Sequence, residues 1–350
     1  MICSKIDTLG IKPTITPKDV KLDEEVATVA DPFIVHHNNK FFLFYEVLTK
    51  KKKVIGISTS LNGKDYEWLG IVLDESVNNI LLSFPYTFRY ENNWYMIPEQ
   101  SETNTGRSLN YLYKTDNESF PFGWKKEGVL FDFKEKRKIS DKVIIRHNGM
   151  WYVFYGLGDS RKHKLNIAIF ENLKNRKARK HPASPIIQTP ANNPYSQFIF
   201  YLNIIGCKFK KRGFDINKFP ALANFFSKLG KRVTHYPCRP GGSIIKNPNG
   251  EITLYLQYQG AKLDNWDIRK SHSRYVSKIT ISKLTPEEIE FQIHDDYVVA
   301  PTLKEDDWNA DKMHTVCPIE VDGETFTAVD GWNESKKEWS IAVINKTNNI

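Results

Sequence analysis

Three carboxylates stand at the ends of apolar segments in this chain, where they could transfer protons. Asp31 opens an apolar run in ADPF, Asp141 opens a similar run, and Glu99 closes an aromatic one in MIPE. At Asp31 the alternative is an aspartate that only caps a turn. Carboxyl groups with different surroundings can divide the roles of proton donor and acceptor between them. The sequence therefore predicts Asp31, Glu99 and Asp141 as catalytic residues.

Three further side chains are candidates for binding an anionic substrate group. Arg239 precedes two glycines in RPGGS, where close backbone approach would let the guanidinium hold a phosphate or carboxylate with two hydrogen bonds. A structural salt bridge between repeats is the alternative. His314 and His235 could bind phosphate or act as acid and base, although a single histidine often has a structural role.

The candidate substrate-binding set also contains Lys142, Pro85 and Tyr86. Lys142 directly follows Asp141. Successive side chains of a strand point to opposite faces, so only one of these two is expected to face a central site. Pro85 and Tyr86 belong to an SFPY motif that opens its own segment in the same way.

These residues belong to five similar segments, each with a polar motif, a short strand, a turn and an aromatic strand. Three of the five turns are Asn-Gly or Asp-Gly, which are strong hairpin signals. The segments begin at Asp31, Ser83, Ser140, Arg239 and Met313, and read DPFIVHHNNKFFLFYE, SFPYTFRYENNWYMIPE, SDKVIIRHNGMWYVFYG, RPGGSIIKNPNGEITLYLQYQG and MHTVCPIEVDGETFTAVDGW.

Five repeats of about four strands predict an all-β chain that forms one five-bladed β-propeller over residues 1–350. In such a fold the innermost strand of each blade lines a central channel. The residues that open the repeats are therefore expected to converge in one funnel.

The interval between the third and fourth repeats is longer than the others and predicts an inserted segment at about 190–235. Within it, residues 217–232 read NKFPALANFFSKLGKR, which is typical of a short basic amphipathic helix. Packing of this helix against the propeller, contact with an anionic membrane surface and contact with a partner protein remain open alternatives.

The composition indicates a globular protein with a sizeable core, since 40% of the 350 residues are hydrophobic and 13% are aromatic. The formal net charge of +9 favours anionic partners. The basic runs lie in loops rather than among aromatic sheet residues, so nucleic-acid binding is not favoured.

Several common sites and signals are not found in the sequence. It has no GxGxxG, P-loop, HExxH or GxSxG motif, and no cofactor is expected. Cys3, Cys207, Cys238 and Cys317 lack the spacing of a zinc site, so no metal is expected and buried thiols are predicted. Without a signal peptide or a run of eighteen apolar residues, a cytoplasmic protein is expected, with peripheral membrane contact as an alternative.

Taken in order, the motifs resemble one known family. ADPFIV with FFLFYE, LLSFPYTF with WYMIPEQ, the Asp141 strand with WYVFYG, RPGGS, and MHTV with AVDGW are similar to the propeller domain at the N-terminus of plant glucosamine inositolphosphorylceramide transferases and of related bacterial and viral proteins. The resemblance covers most of the chain. In the plant proteins this domain is joined to a glycosyltransferase domain, for which this chain leaves no room, so the propeller is expected either to act alone or only to bind.

A more distant similarity is to the five-bladed fold of glycoside hydrolase family 43. That resemblance implies a base at Asp31 and a supporting acid at Asp141. Glu99 matches the general acid only loosely, because that family takes the acid from a later blade.

The favoured function is a glycosyltransferase that moves a sugar from a nucleotide sugar to a surface-glycan or glycolipid acceptor. Asp31 or Glu99 would deprotonate the acceptor hydroxyl, while Arg239, His314 and Lys142 would stabilise the departing diphosphate without a metal. The alternatives are a glycosidase with two carboxylates and a non-catalytic glycan-binding propeller, whose exposed aromatic side chains would stack on sugars.

Overall fold

The computed structural model describes residues 5–135, 138–159, 162–188, 236–259, 274–294 and 296–347. These ranges contain no α-helix, only the short 3-10 helices Pro17–Asp19 and Ser76–Asn78, and nothing helical in them has the length and apolarity needed to span a membrane. The all-β prediction is confirmed. The insertion expected at about 190–235, with its basic helix at 217–232, lies outside the described residues.

The described strands follow one another as five antiparallel groups, one for each predicted repeat. The first three groups are β1 (Val26–His37), β2 (Lys40–Thr49), β3 (Lys53–Ser60) and β4 (Glu67–Leu73); β5 (Ile80–Tyr90), β6 (Asn93–Glu102), β7 (Ser108–Leu109), β8 (Tyr111–Asp116) and β9 (Lys125–Val129); and β10 (Ile139–His147), β11 (Met150–Asp159), β12 (Lys162–Phe170), β13 (Arg179–Lys180) and β14 (Ile187–Gln188). The last two are β15 (Tyr236–Lys246), β16 (Ile252–Gln259), β17 (Arg274–Leu284) and β18 (Ile289–Ile293); and β19 (Lys312–Val321), β20 (Glu324–Asn333) and β21 (Glu338–Thr347).

The opening strands of the five groups contact one another in cyclic order: β1, β5, β10, β15, β19 and back to β1. The first three groups form separate sheets. The last two share one sheet, because Gly242 of β15 pairs in parallel with Val316 of β19. This arrangement brings the polar motifs of all five opening strands towards one region.

Each opening strand contains a bulge at its polar motif. Asp31, Phe84 and Asp141 have positive φ angles of 53°, 48° and 35° at three of these bulges. A bulge changes the direction of a side chain, and a positive φ at a non-glycine residue costs on the order of 1–3 kcal/mol. The pairing register shifts between Ala30 and Phe33, Ser83 and Tyr86, Ser140 and Lys142, Pro240 and Ile244, and Met313 and Val316.

Aromatic side chains fill the spaces between neighbouring groups. Trp94 stacks on Phe120 with ring centroids 4.3 Å apart, within a cluster that also contains residues of the first group. Phe33 meets Phe84 edge to face at 4.8 Å between the first two opening strands. Such pairs contribute about 0.5–1.5 kcal/mol beyond the area that they bury. The aromatic strands predicted from the sequence therefore form the contacts between repeats.

The first described segment of the chain completes the last strand group. Ile15 forms an antiparallel bridge with Ile341 of β21, with backbone hydrogen bonds of 3.0 and 2.9 Å in the two directions. Thr14 adds a bond of 2.7 Å to the same residue. The fifth group thereby gains a partner for its outer strand from the opposite end of the chain.

Candidate functional site

Arg239 of β15 lies at the centre of a buried polar cluster. Its Nε is 2.6 Å from Oδ2 of Asp141, and its Nη1 is 3.8 Å from Oε2 of Glu99. Its Nη2 donates a 2.9 Å hydrogen bond to Nε2 of His314, and Nε is also 3.1 Å from Oε1 of Gln257. One guanidinium therefore joins side chains from four of the five strand groups.

A glycine in the third group makes room for this arginine. A Cβ atom at Gly156 would lie 2.7 Å from Cβ of Arg239 and 2.7 Å from Oγ of Ser140. Gly156 ends the aromatic run of the second strand of its group, and the other four groups carry an acid or an amide at that position. The third group has glycine there because the side chain of the next group occupies the space.

Asp141 and Glu99 form a carboxyl pair with opposite pKa shifts. Burial and the negative Glu99 raise the pKa of Asp141 well above its usual range, although Arg239 acts in the opposite direction. Burial also raises the pKa of Glu99, but Arg239, the hydrogen bond with Asp141 and Lys138 outweigh it and hold that pKa below its usual range. These opposite shifts favour protonation of Asp141 before Glu99, as needed for a division of acid and base roles.

Asp31 and His314 form a second buried pair. Nδ1 of His314 donates a 2.7 Å hydrogen bond to Oδ1 of Asp31, and Oγ1 of Thr315 donates to the same oxygen at 3.2 Å. Because Arg239 can only donate, Nε2 of His314 must accept, and this hydrogen-bond pattern assigns the proton to Nδ1. Burial raises the pKa of Asp31, but the nearby His314 outweighs it and the net shift is downward.

Asp330 of β20 accepts backbone hydrogen bonds from both residues of this pair. Its Oδ2 accepts the backbone N–H of Asp31 at 2.8 Å, and its Oδ1 accepts those of His314 at 3.2 Å and Thr315 at 2.7 Å. Possible metal-ligand atoms of Asp31, His314 and Asp330 lie within 4.8 Å of one another. A metal bound there would compete with these hydrogen bonds, so the cluster fits a hydrogen-bonded support for the bulge better than a metal site.

Lys142 is fully buried beside the carboxyl pair. Its Nζ has no hydrogen-bond partner among the described residues. Burial lowers its pKa to about 8, while Glu99 and Asp141 act to raise it. The expectation that only Asp141 or Lys142 could face the site assumed a regular strand, whereas the bulge at Asp141 interrupts the alternation. Both side chains interact electrostatically with Glu99.

Glu46 of β2 is an acid of this cluster that the sequence prediction missed. Its Oε2 is 2.8 Å from Nζ of Lys53, and its side chain is 8% exposed. Burial, Asp31 and Glu99 raise its pKa to about 7, while Lys53 acts to lower it. The pKa of Glu46 is thus placed close to neutral pH.

A repeated sequence position would have identified the missed residues. The aromatic second strand of each repeat ends in FFLFYE, WYMIPE, WYVFYG, LYLQ or FTAVD, so four of the five end in an acid or an amide. These residues are Glu46, Glu99, Gln257 and Asp330, and all four belong to the cluster.

Other predicted site residues are used differently. Tyr86 is buried and donates its hydroxyl to the backbone carbonyl of Ile144 at 3.0 Å, and Pro85 is buried next to it. His235 lies outside the described residues. The glycines of RPGGS were expected to let a ligand approach the backbone. At Gly242 the neighbouring strand takes this space instead, since a Cβ there would lie 1.8 Å from the carbonyl oxygen of Val316.

Two tryptophans form a cross-strand pair beside His314. The ring of Trp339 is 5.4 Å from that of His314 and 5.7 Å from that of Trp332. Nζ of Lys312 lies 5.2 Å from the ring centre of Trp332. Both indoles are half-buried, so part of each ring stays accessible next to the polar cluster.

Comparison with known proteins gives one family match. A family model described as "Glucosamine inositolphosphorylceramide transferase 1, N-terminal" matches residues 12–196. This range includes Asp31, Glu46, Glu99, Asp141 and Lys142, whereas the fourth and fifth strand groups lie beyond it.

Curated relatives carry the same name. The chain is 36% identical to glucosamine inositolphosphorylceramide transferase 1 of Oryza sativa subsp. japonica over 129 residues, which are 36% of the chain and 16% of that protein. It is 34% identical to the Arabidopsis thaliana protein of that name over 146 residues, 40% of the chain and 17% of the relative. The matched region is thus a small part of these longer proteins.

Solved structures share the fold over nearly the whole chain. A putative glycoside hydrolase from Parabacteroides distasonis aligns with a TM-score of 0.64 and 14% identity, covering 100% of this chain and 99% of the other. The GH32 β-fructofuranosidase of Bombyx mori aligns with a TM-score of 0.58 and 14% identity, covering 95% and 61%. At these identities the likeness concerns the fold alone, which is that of propeller-like glycosidases.

Proposed function

Because the chain belongs to the family of the N-terminal region of glucosamine inositolphosphorylceramide transferase 1, we propose that its polar cluster transfers a sugar from a nucleotide-sugar donor to a surface-glycan or glycolipid acceptor. The observation that carries this proposal is the charge balance of the cluster. Burial opposes the ionisation of several of its acids, whereas Arg239 keeps its charge and the pKa of Lys142 stays above neutral.

The acids supply less negative charge than their number suggests. Asp31 and Glu99 are held ionised by their partners. Burial raises the pKa values of Asp141 and Asp330 well above their usual range, so burial opposes the ionisation of these two side chains.

Four basic side chains lie in or beside the cluster. Arg239 keeps its charge at any working pH, and the pKa of Lys142 stays near 8. Lys138 is 2.6 Å from Glu99, and Lys53 is 2.8 Å from Glu46. These cations would attract the negative charge of a diphosphate, which a neutral sugar alone lacks.

This balance suggests how the site would promote transfer. Lys142 and Arg239 would stabilise negative charge on the leaving diphosphate. Asp31 receives its described hydrogen bonds on Oδ1, and Oδ2 remains for the positive charge that develops at the anomeric carbon. His314 would fix the direction of that carboxylate and link it to Arg239.

The same proposal treats the five strand groups as the blades of one five-bladed propeller. The cyclic contacts of the opening strands and the bridge between Ile15 and Ile341 support this view. A central funnel would then give a donor access to residues from every blade.

The test combines donor binding with turnover. We expect one class of nucleotide sugar to raise the melting temperature of the purified protein by several degrees, since ligand at 100 times its dissociation constant stabilises by about 2.7 kcal/mol. Asp31→Asn should keep this shift but lower transfer to glycan or glycolipid acceptors at least about 100-fold. Exposed Asp23 provides the matched control, and Asp23→Asn should leave both unchanged.

Different results would contradict the transferase. No shift with any nucleotide or nucleotide sugar, together with hydrolysis of aryl glycosides that is lost in Asp31→Asn, would identify a glycosidase. The split pKa values of Asp141 and Glu99 favour this second candidate, because glycoside hydrolysis needs one protonated and one ionised carboxyl group.

The tryptophan pair gives a separate prediction about sugar binding. Aromatic faces bind the apolar faces of sugar rings, and Trp339 lies beside His314. Trp339→Ala should weaken acceptor binding about fivefold, corresponding to roughly 1 kcal/mol. Calorimetric titration with acceptor glycans measures this change. The exposed Phe122 serves as control, and equal losses in Trp339→Ala and Phe122→Ala would exclude the tryptophan as a sugar contact.

A further inference from the structure

The acids that end the second strands have a repeated structural task. Oδ2 of Asp330 accepts the backbone N–H of Asp31 at 2.8 Å, and Oε2 of Glu99 accepts that of Asp141 at 3.3 Å. In each case an acid of one group holds the bulge of the next group in the ring. These hydrogen bonds stabilise the positive φ angles of the two aspartates.

Glu46 occupies the same position but does not perform this task. It pairs with Ala30 as Glu99 pairs with Ser83, at the last register position before the bulge. The bulge of the next group lies at Phe84, yet no described hydrogen bond joins the Phe84 backbone to Glu46. Among the described residues, the carboxylate of Glu46 has Lys53 as its ion-pair partner, at 2.8 Å.

The surroundings of Glu46 suit proton exchange. Asp31, on the neighbouring strand, and Glu99, on the next group, place negative charge near it, and Lys53 of β3 opposes them. Burial and the two acids raise its pKa to about 7. A carboxyl group with this pKa exists in both forms at neutral pH, which is the requirement for efficient acid or base catalysis.

We propose that Glu46 is the catalytic residue that exchanges a proton with the substrate, a role that rests on the proposed glycosyl transfer. As the acceptor oxygen bonds to the anomeric carbon, its hydroxyl proton passes to a Glu46 carboxylate oxygen. The bond between that carbon and the diphosphate oxygen breaks, and the diphosphate leaves with the electron pair. Glu46 then returns the proton to solvent.

Asp31 and Glu99 are less suited to this step. Their pKa values are shifted downward by His314 and Arg239, so each is a weaker base than Glu46. Glu99 also uses both oxygens, Oε1 with Lys138 and Oε2 with the bulge of Asp141.

The first experiment compares Glu46→Gln with Glu67→Gln, an exposed control on β4. Glu46→Gln should lower the transfer rate about 100- to 10,000-fold while the thermal shift with nucleotide sugar stays unchanged. The wild-type rate should rise as the pH rises through about 7, and the rate of the variant should not show this rise. An unchanged rate or an unchanged pH profile in Glu46→Gln would overturn the proposal.

A second experiment does not depend on turnover. Glutamate labelled with 13C at the carboxyl carbon allows NMR titration of the whole protein. One signal should titrate between about pH 6 and 8 in the wild type and be missing in Glu46→Gln. A titration without such a signal, or a signal that persists in the variant, would overturn the proposal whatever reaction the protein catalyses. Should Glu46→Gln not fold, Glu46→Gln with Lys53→Met removes both charges and gives the same spectral comparison.

Whether the reaction rate rises or falls with pH distinguishes a failure of this proposal from a failure of the proposed function. If nucleotide sugars give no transfer but aryl glycosides are hydrolysed, Glu46 acts as the proton donor and the rate should fall as pH rises through about 7. That result keeps the proton-transfer role and rejects the transferase. A protein that catalyses neither reaction rejects both.

Discussion

Arg239→Met should lower the free energy of unfolding by about 3–5 kcal/mol, because it leaves buried carboxyl groups without their positive partner. Asp141 and Glu99 are both at least nine-tenths buried, and both contact this guanidinium. Equilibrium unfolding in urea measures the loss. Arg179, which is half-exposed and pairs with an exposed Glu287, is the matched control, and Arg179→Met should cost less than about 1 kcal/mol.

The pH dependence of this loss follows from the pKa of Glu99. The folded-state pKa lies below the ordinary value of 4.5, so the contribution of Glu99 to stability is present above about pH 4.5 and is lost as pH falls. Arg239→Met removes the main cause of that lowered pKa. The stability difference from the wild type should therefore be largest at neutral pH and shrink below about pH 4. A difference under about 1 kcal/mol at pH 7 would show that Arg239 is not the central counterion.

Gly242→Ala should cost more than about 4 kcal/mol, which is exceptional for adding one methyl group. The new Cβ would lie 1.8 Å from the carbonyl oxygen of Val316, and the φ of Gly242 is +142°. The methyl group and the parallel contact between β15 and β19 cannot both persist. Chemical denaturation with gel filtration would detect the lost stability or a partly opened molecule.

Gly250→Ala is the control that measures the stability cost of the backbone angle without a steric contact. Its φ is +88°, but a Cβ there would meet nothing within 4 Å. Gly250→Ala should therefore cost only about 1–2 kcal/mol from backbone strain. Equal losses in the two variants would argue against the close approach of β15 to β19.

The repeats were predictable because their signals are local. Asn148-Gly149 and Asp322-Gly323 occupy two-residue turns between paired strands, as their sequences indicate. The bulges were not predictable from residue types. Asp31 and Asp141 are tolerated at positive φ, but Phe84 is not a residue that favours it, and neighbouring strands impose the conformation.

The candidate site was predictable in part. Asp31, Asp141 and Arg239 open their repeats, and their convergence follows from the repeat pattern. The second repeat differs from these, because it has the apolar Phe84 at its bulge. The hydroxyl of Tyr86 donates to the backbone of Ile144, and its predicted role in substrate binding stays a prediction. Glu46 was missed although it occupies the same strand-end position as Glu99. The sequence does not show that Glu46 lacks the structural bond of its counterparts, because that bond depends on contacts between groups.

The support of Asp31 by Asp330 also has a consequence for how the protein forms. The hydrogen bond between them spans 299 residues, and that between Asp31 and His314 spans 283. Contacts so distant in sequence form late, since the chain must lose the entropy of a long loop before gaining them. During synthesis the first repeats would leave the ribosome with the bulge at Asp31 unsupported. A working site can then appear only after the last strands have been made, so an incomplete chain would be inactive even with its first three groups folded.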